Sequence, residues 1–97
     1  MTNNQNVRIP PITSLKTAIE LYYSRTELGN ADIEELFGKH STATVSRLKR
    51  KARQKMVELN IPSWNGNRVN TEAAFESWGL NITDLERRYK KLQELSA

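Results

Sequence analysis

The chain has 97 residues, the size of one small domain, and its 22 Leu, Ile, Val and Phe side chains suffice for a small hydrophobic core. It has no cysteine and a single histidine, which excludes disulfides, thiolate zinc sites and the usual histidine metal clusters, so we expect neither an enzyme nor a cofactor or metal site. The net charge is +4, the N-terminus lacks the apolar segment of a secretory signal, and no stretch reaches the length of a membrane span, so we expect no membrane partner.

The chain divides into a short tail and one domain. Residues 1–12 are polar, rich in asparagine and end in Pro10-Pro11, which predicts a flexible N-terminal tail. The remaining residues 13–97 form the predicted domain. We divide it into a core at 13–59, a wing or loop with a short helix at 60–82, and a C-terminal helix at 83–97.

Two helices are predicted in the first half of the domain. The first begins after Thr13 or Ser14, either of which can cap it, and its apolar residues recur at spacings of three and four. A short second helix is predicted between Asn30 and Gly38, because acidic residues occupy its first turns, where the helix dipole favours negative charge. Gly38 is expected to end this helix in the left-handed conformation that glycine permits.

The third predicted helix is long and basic. It spans residues 41–59, with Ser41 or Thr42 as its cap. One apolar stripe runs along it, formed by Val45, Leu48, Ala52, Met56 and Leu59. Between Glu35 and Glu58 the chain has no acidic residue and a charge of +7, so the rest of the chain carries −3. A merely solvated helix normally carries acidic partners one turn away, so this block favours a nucleic-acid partner.

The last third of the chain predicts a small hairpin and two helices. Asn65-Gly66 is a strong hairpin-turn signal, so residues 61–70 are a possible β-hairpin wing, with Pro62 restricting its first run to an edge. A short helix follows, and a capping box that begins at Thr83 opens the C-terminal helix. The fold class is therefore mainly all-α, with a helix-turn-helix core of about five helices. We expect both Trp64 and the second tryptophan in the core.

The second and third helices, with a tight turn after Gly38, have the layout of a helix-turn-helix DNA reader. A major groove about 12 Å wide admits a helix, whose first turns then reach the base edges. Short side chains there allow a close approach, and arginines one and two turns later reach guanine edges or phosphates. The residues predicted to read bases are Ser41, Thr42, Ala43, Ser46, Arg47 and Arg50. The residues predicted to contact phosphate are Lys39, Lys49, Lys51, Arg53 and Lys55.

These segments resemble the helix-turn-helix of bacterial and phage regulators. The resemblance covers residues 30–56, where Gly38 matches the glycine of the turn and Val45 the aliphatic residue that packs against the preceding helix. The two are seven residues apart, one more than is usual in the family. Residues 61–78 are similar to the wing and trailing helix of winged-helix phage excisionases, and this resemblance implies that Arg68 is a phosphate contact of the wing.

The sequence therefore predicts a sequence-specific double-stranded DNA-binding protein of the cytoplasm, associated with the nucleoid. The resemblance implies a transcriptional regulator or a recombination accessory factor of a phage or mobile element. One alternative is a DNA-recognition subunit of a larger phage packaging or replication machine. Another is a protein-interaction module that binds an acidic partner. The apolar edge of the C-terminal helix favours a homodimer, and no site for a small-molecule effector is evident.

Overall fold

The computed structural model describes residues 8–96, which form five α-helices and two short strands. In chain order these elements are α1 (Leu15–Ser24), β1 (Glu27–Leu28), α2 (Asn30–Phe37), α3 (Thr42–Glu58), β2 (Val69–Asn70), α4 (Thr71–Ser77) and α5 (Ile82–Ser96). The mainly helical fold class is confirmed. None of the helices in this part of the chain is long and apolar enough to cross a membrane.

The predicted tail lies partly outside the described residues, which begin at Arg8. In its remaining part, Ile9 and Ile12 pack against the core. The backbone N–H of Thr13 donates to the carbonyl of Leu36 at 2.9 Å, which joins the start of the domain to the end of α2. The segment that leads into α1 therefore lies against α2.

Polar side chains cap the N-terminal ends of several helices: their oxygen atoms accept hydrogen bonds from backbone N–H groups that have no partner within the helix. Ser14 accepts from Thr17 N at 3.2 Å at the start of α1, and Ser41 accepts from Thr44 N at 3.2 Å at the start of α3. At α5 the prediction that Thr83 opens the helix was wrong. The Oδ1 of Asn81 instead accepts from Asp84 N at 2.9 Å, because Asn81 lies just before the first helical residue, Ile82, and its side chain reaches the N–H three residues on.

The two strands come from distant parts of the chain. Leu28 pairs with Val69 in an antiparallel register, and both side chains are fully buried. Only the second strand of the predicted hairpin at 61–70 is therefore observed, and its partner is β1 instead of the neighbouring segment. Residues 61–68 form a loop, because Pro62 has no backbone N–H to donate and because pairing with β1 buries Leu28 against the core.

The hydrophobic core takes side chains from all five helices and both strands, with α3 packed against α4 and α1 against α5. Most of the predicted stripe of α3 faces inward, with Leu48, Ala52 and Met56 buried and Val45 packed against the core. The prediction was wrong for Leu59, which is 46% exposed because the helix ends at Glu58. Trp78 anchors the end of α4, because its indole N–H donates to the Leu48 carbonyl at 3.0 Å and its ring meets Phe37 edge to face. With its apolar stripe held inward, the opposite side of α3 faces solvent.

Candidate nucleic-acid interface

The turn between α2 and α3 is held by backbone and side-chain hydrogen bonds. Gly38 has a φ of +85°, and its N–H donates to the Glu34 carbonyl at 2.7 Å. The His40 ring nitrogen Nε2 lies 3.1 Å from the Phe37 carbonyl, to which it donates. The Thr13 hydroxyl donates to the Glu35 carbonyl at 2.9 Å. These contacts satisfy the last carbonyls of α2 and fix the direction in which α3 starts.

The side chains predicted to read bases form one exposed surface on α3 and its cap. All six are exposed, namely Ser41, Thr42, Ala43, Ser46, Arg47 and Arg50. Their positions follow from the helical repeat, since the buried side of α3 is held by Leu48 and Ala52. The Ser41 hydroxyl is already engaged by Thr44, so its capping role comes before any contact with a ligand. We call this set of six residues the reading face.

Two of the predicted phosphate-binding side chains connect α3 to its neighbours. The Lys49 ammonium donates to Asn30 Oδ1 at 2.9 Å, at the start of α2. Partial burial lowers the pKa of Lys49, and the positive charge of Arg53 lowers it further. The Arg53 guanidinium donates to the Gly66 carbonyl in the loop at 61–68. These two cations therefore hold α2 and the loop beside α3.

Lys55 lies on the opposite flank of α3. Its ammonium is 3.1 Å from Glu58 Oε1 and 3.7 Å from Glu76 Oε2 in α4, and the hydrogen bond to Glu58 raises the pKa of Lys55. Residues two apart on a helix are separated by about 200°, so Lys55 faces away from Arg53. Lys51, one turn before Lys55, lies on the same flank. The structure therefore does not bring the predicted phosphate contacts into one group.

Lys39 and Arg68 extend the positive surface at its ends. Lys39 is exposed in the turn that precedes α3. Arg68 is exposed at the end of the loop, and its side chain lies against Gly29, where an added Cβ would be 3.7 Å from the Arg68 guanidinium carbon. Arg68 therefore stands next to the start of α2, on the loop that the resemblance assigns to a wing.

The expectation that Trp64 belongs to the core was wrong, because its side chain is 81% exposed. Its neighbours along the chain, Ser63 and Asn65-Gly66, are polar or turn-forming, so no apolar pattern directs it inward. That local pattern was the signal that sequence reasoning overlooked. The contact of Asn30 was also overlooked: Asn30 is the first residue of α2, preceded by its cap Gly29, and its Oδ1 accepts a hydrogen bond from the Lys49 ammonium of α3.

Two shallow grooves flank the reading face. The first runs between α2 and α3 and includes Asn30, Glu34, Thr42 and Ser46. The second runs between α3 and the loop and includes Arg50, Arg53, Gly66 and Asn67. Within residues 8–96 no group of three or more acidic or histidine side chains is placed to hold a metal ion.

Comparison with known proteins identifies no relative of this chain. No protein-family profile, no curated protein and no solved structure matches the chain.

Proposed function

We propose that the protein binds double-stranded DNA with α3 in the major groove and the reading face towards the base edges. One observation carries this proposal: an exposed helix face of short polar side chains and arginines, on a helix with no acidic residue before Glu58. The helix has 17 residues. At 1.5 Å per residue it is about 25 Å long, which is enough to cross several base pairs of a major groove.

The side chains of the reading face differ in length. Thr42 and Ala43 in the first turn are small, so the backbone of α3 approaches the bases there. Arg47 and Arg50 follow one and two turns later, and neither forms an ion pair with another described residue. Free guanidinium groups suit bidentate contacts to guanine or to phosphate. Base recognition is thus assigned to the first three turns of α3.

The arrangement around α3 supports the resemblance to winged-helix regulators. The pairing of β1 with β2 brings the loop at 61–68 back to the start of α2, and Arg53 holds that loop beside α3. A helix with a loop at its side contacts the duplex at two places. The role that fits best is a transcriptional regulator or recombination accessory factor of a phage or mobile element, associated with the nucleoid.

A homodimer belongs to the proposal. Leu92 and Leu95 of α5 are 50% and 80% exposed and lie next to Leu15 of α1, which leaves an apolar edge on the surface. Regulators that read one half-site per chain commonly double the site through two-fold symmetry. The alternative is that this edge contacts another protein of a packaging or replication machine, and the mass in solution separates the two.

The proposal is tested by the salt dependence of DNA binding. Fluorescence anisotropy with a labelled random-sequence duplex measures affinity at several salt concentrations, and log affinity should fall linearly with log salt, by about 0.9 for each phosphate neutralised. We expect the double variant R47A/R50A to bind a duplex selected from a random pool at least about tenfold more weakly than the wild type does, with less preference over random sequence, because the two arginines are assigned to base edges. Selection from a random pool of duplexes then tests sequence specificity.

The control variant K16A/K90A removes the same charge from exposed positions on α1 and α5. It should change affinity less than R47A/R50A, because net charge acts on both variants equally and only one of them alters the reading face. Wild-type affinity of R47A/R50A for the selected duplex would show that the reading face does not read bases. If the wild-type protein binds no duplex even at low salt, an acidic protein becomes the better partner.

A further inference from the structure

The two tryptophans of the chain occupy opposite environments. Trp78 is 3% exposed and hydrogen-bonded to Leu48, whereas Trp64 is 81% exposed on the loop at 61–68. A tryptophan side chain buries a large apolar area when it finds a partner, so a nearly fully exposed one indicates a contact surface.

The loop that carries Trp64 is anchored on both sides. Before it, Ile61 packs against the core, and after it Val69 is fully buried in β2. Between these points Asn65 organises a turn, since its carbonyl accepts from Arg68 N at 3.0 Å and its Oδ1 accepts from Asn67 N at 2.9 Å. Trp64 is thus presented to solvent from a defined position.

The chemistry beside the loop indicates what Trp64 meets. The groove between α3 and the loop is cationic, with Lys49, Arg50 and Arg53 on the helix side, and Arg68 ends the loop. Among residues 8–96, no acidic side chain lines this groove. A polyanion with flat apolar faces satisfies both the cations and the indole, and duplex DNA offers such faces where a base step is partly unstacked.

We propose that Trp64 inserts between base pairs in the minor groove next to the major-groove site of α3 and bends the duplex. This inference rests on the proposed function. With α3 in the major groove, the loop at its side lies across one phosphate backbone, where the minor groove begins. Apolar side chains that enter the minor groove unstack a base step, and the resulting bend brings more DNA into contact with the protein.

The experiment uses the full chain and reads Trp64 directly. Because Trp78 is buried, acrylamide quenches mainly the fluorescence of Trp64. This quenching should decrease when duplex DNA is added, since the inserted indole no longer meets acrylamide. Anisotropy of the labelled duplex gives binding in the same titration. A duplex of about 30 base pairs with a donor and an acceptor at its ends measures bending, since DNA of this length is stiff unless kinked.

Three variants define the expected result. W64A should bind about tenfold more weakly and leave the end-to-end distance of the duplex unchanged, because the stacking contact is lost. W64F should retain part of the bend, since a phenyl ring still stacks. Y23A removes another exposed aromatic ring, on α1, and should bind and bend DNA as the wild type does. Thermal unfolding of all three checks that the fold is kept.

The possible outcomes separate this inference from the proposed function. If DNA binds with a steep salt dependence but Trp64 stays accessible to acrylamide, the proposed insertion of Trp64 is wrong and the proposed DNA binding is retained. Equal bending of the duplex by W64A and by the wild type also contradicts the proposed insertion of Trp64. If no duplex binds at low salt, both proposals fail. Protection of Trp64 together with a bend that W64A loses supports both.

Discussion

The basic side chains of α3 differ in what they contact, so equal charges have unequal roles. Lys49 and Arg53 donate to oxygen atoms of α2 and the loop, and Lys55 pairs with two carboxylates. Arg47 and Arg50 have no such partner among the described residues. A sequence shows the charge of each residue but not its partner. The basic residues of α3 that were predicted to contact DNA therefore fall into two groups, those with partners inside the protein and those without, once the neighbours of α3 are known.

Gly38 provides a test of the turn at the scale of one residue. Its φ of +85° is a conformation that side chains with a Cβ rarely adopt, so Gly38→Ala should lower the free energy of unfolding by about 1–2 kcal/mol. For a domain of this size the loss corresponds to a decrease in Tm of about 4–15 °C. Thermal and urea unfolding followed by circular dichroism measure both quantities.

Gly66→Ala is the matched control for this substitution. Gly66 has no positive φ, and a Cβ built there meets no atom within 4 Å, so we expect a change within about 0.5 kcal/mol. Its carbonyl remains free to accept from Arg53. Equal stability of Gly38→Ala and the wild type would mean that the turn relaxes to another conformation, which would reorient α3 and weaken the geometric basis of the reading face.

At the scale of elements, α3 has two flanks with different chemistry. The flank with Arg53 faces the loop, and the flank with Lys55 faces α4. We expect Arg53→Ala to lower duplex affinity about threefold to tenfold and to reduce the salt slope by about 1. Lys55→Ala should keep affinity within about twofold, because Lys55 faces α4, away from Arg53, and its charge is balanced by Glu58 and Glu76. The anisotropy titration described above measures both variants.

The two single variants control for each other, since each removes one positive charge from the same helix. Equal losses of affinity would show that Lys55 leaves Glu58 and Glu76 to contact phosphate, as the sequence alone predicts. Loss in Arg53→Ala without a change of salt slope would instead assign its effect to the position of the loop, because a lost phosphate contact always changes the slope.

The helices were predictable because their signals are local. Ser14, Ser41 and Gly38 act within one helical turn of their own positions, and the spacing of apolar residues defines the buried side of α3. The sheet was not predictable in the same way. Its two strands are about forty residues apart, and each is only two residues long, too short for an alternating pattern.

Parts of the candidate site were predictable for the same reason. Helical periodicity places Ala43, Ser46, Arg47 and Arg50 opposite the apolar stripe, so their exposure could be predicted from spacing, whereas Ser41 and Thr42 are exposed because they lie at the start of the helix. The pairing of Lys55 with Glu76 and the support of the loop by Arg53 depend on tertiary contacts. Trp64 illustrates the limit, because residue type favours burial and only its surroundings keep it outside.

At the scale of the whole molecule, the described residues measure 44 × 30 × 23 Å. These dimensions are comparable to the length of one turn of duplex DNA, about 34 Å. In the proposed complex, one chain would contribute one α3 to one half-site. The apolar edge at Leu92 and Leu95 lies on α5, which packs against α1, whereas the reading face lies on α3. Pairing through α5 would thus leave the reading face of each copy free, and we expect two copies to contact successive half-sites about 34 Å apart.

The mass of the protein tests this arrangement. Sedimentation equilibrium should show a mass that rises towards two chains with concentration, because the exposed leucines lose their water contacts in the pair. The variant L92E/L95E should remain at one chain, whereas V57E, which alters an exposed apolar residue of α3, should associate as the wild type does. A wild-type mass of one chain at every concentration would exclude the homodimer. The edge would then fit a different protein, as expected for the recognition subunit of a larger machine.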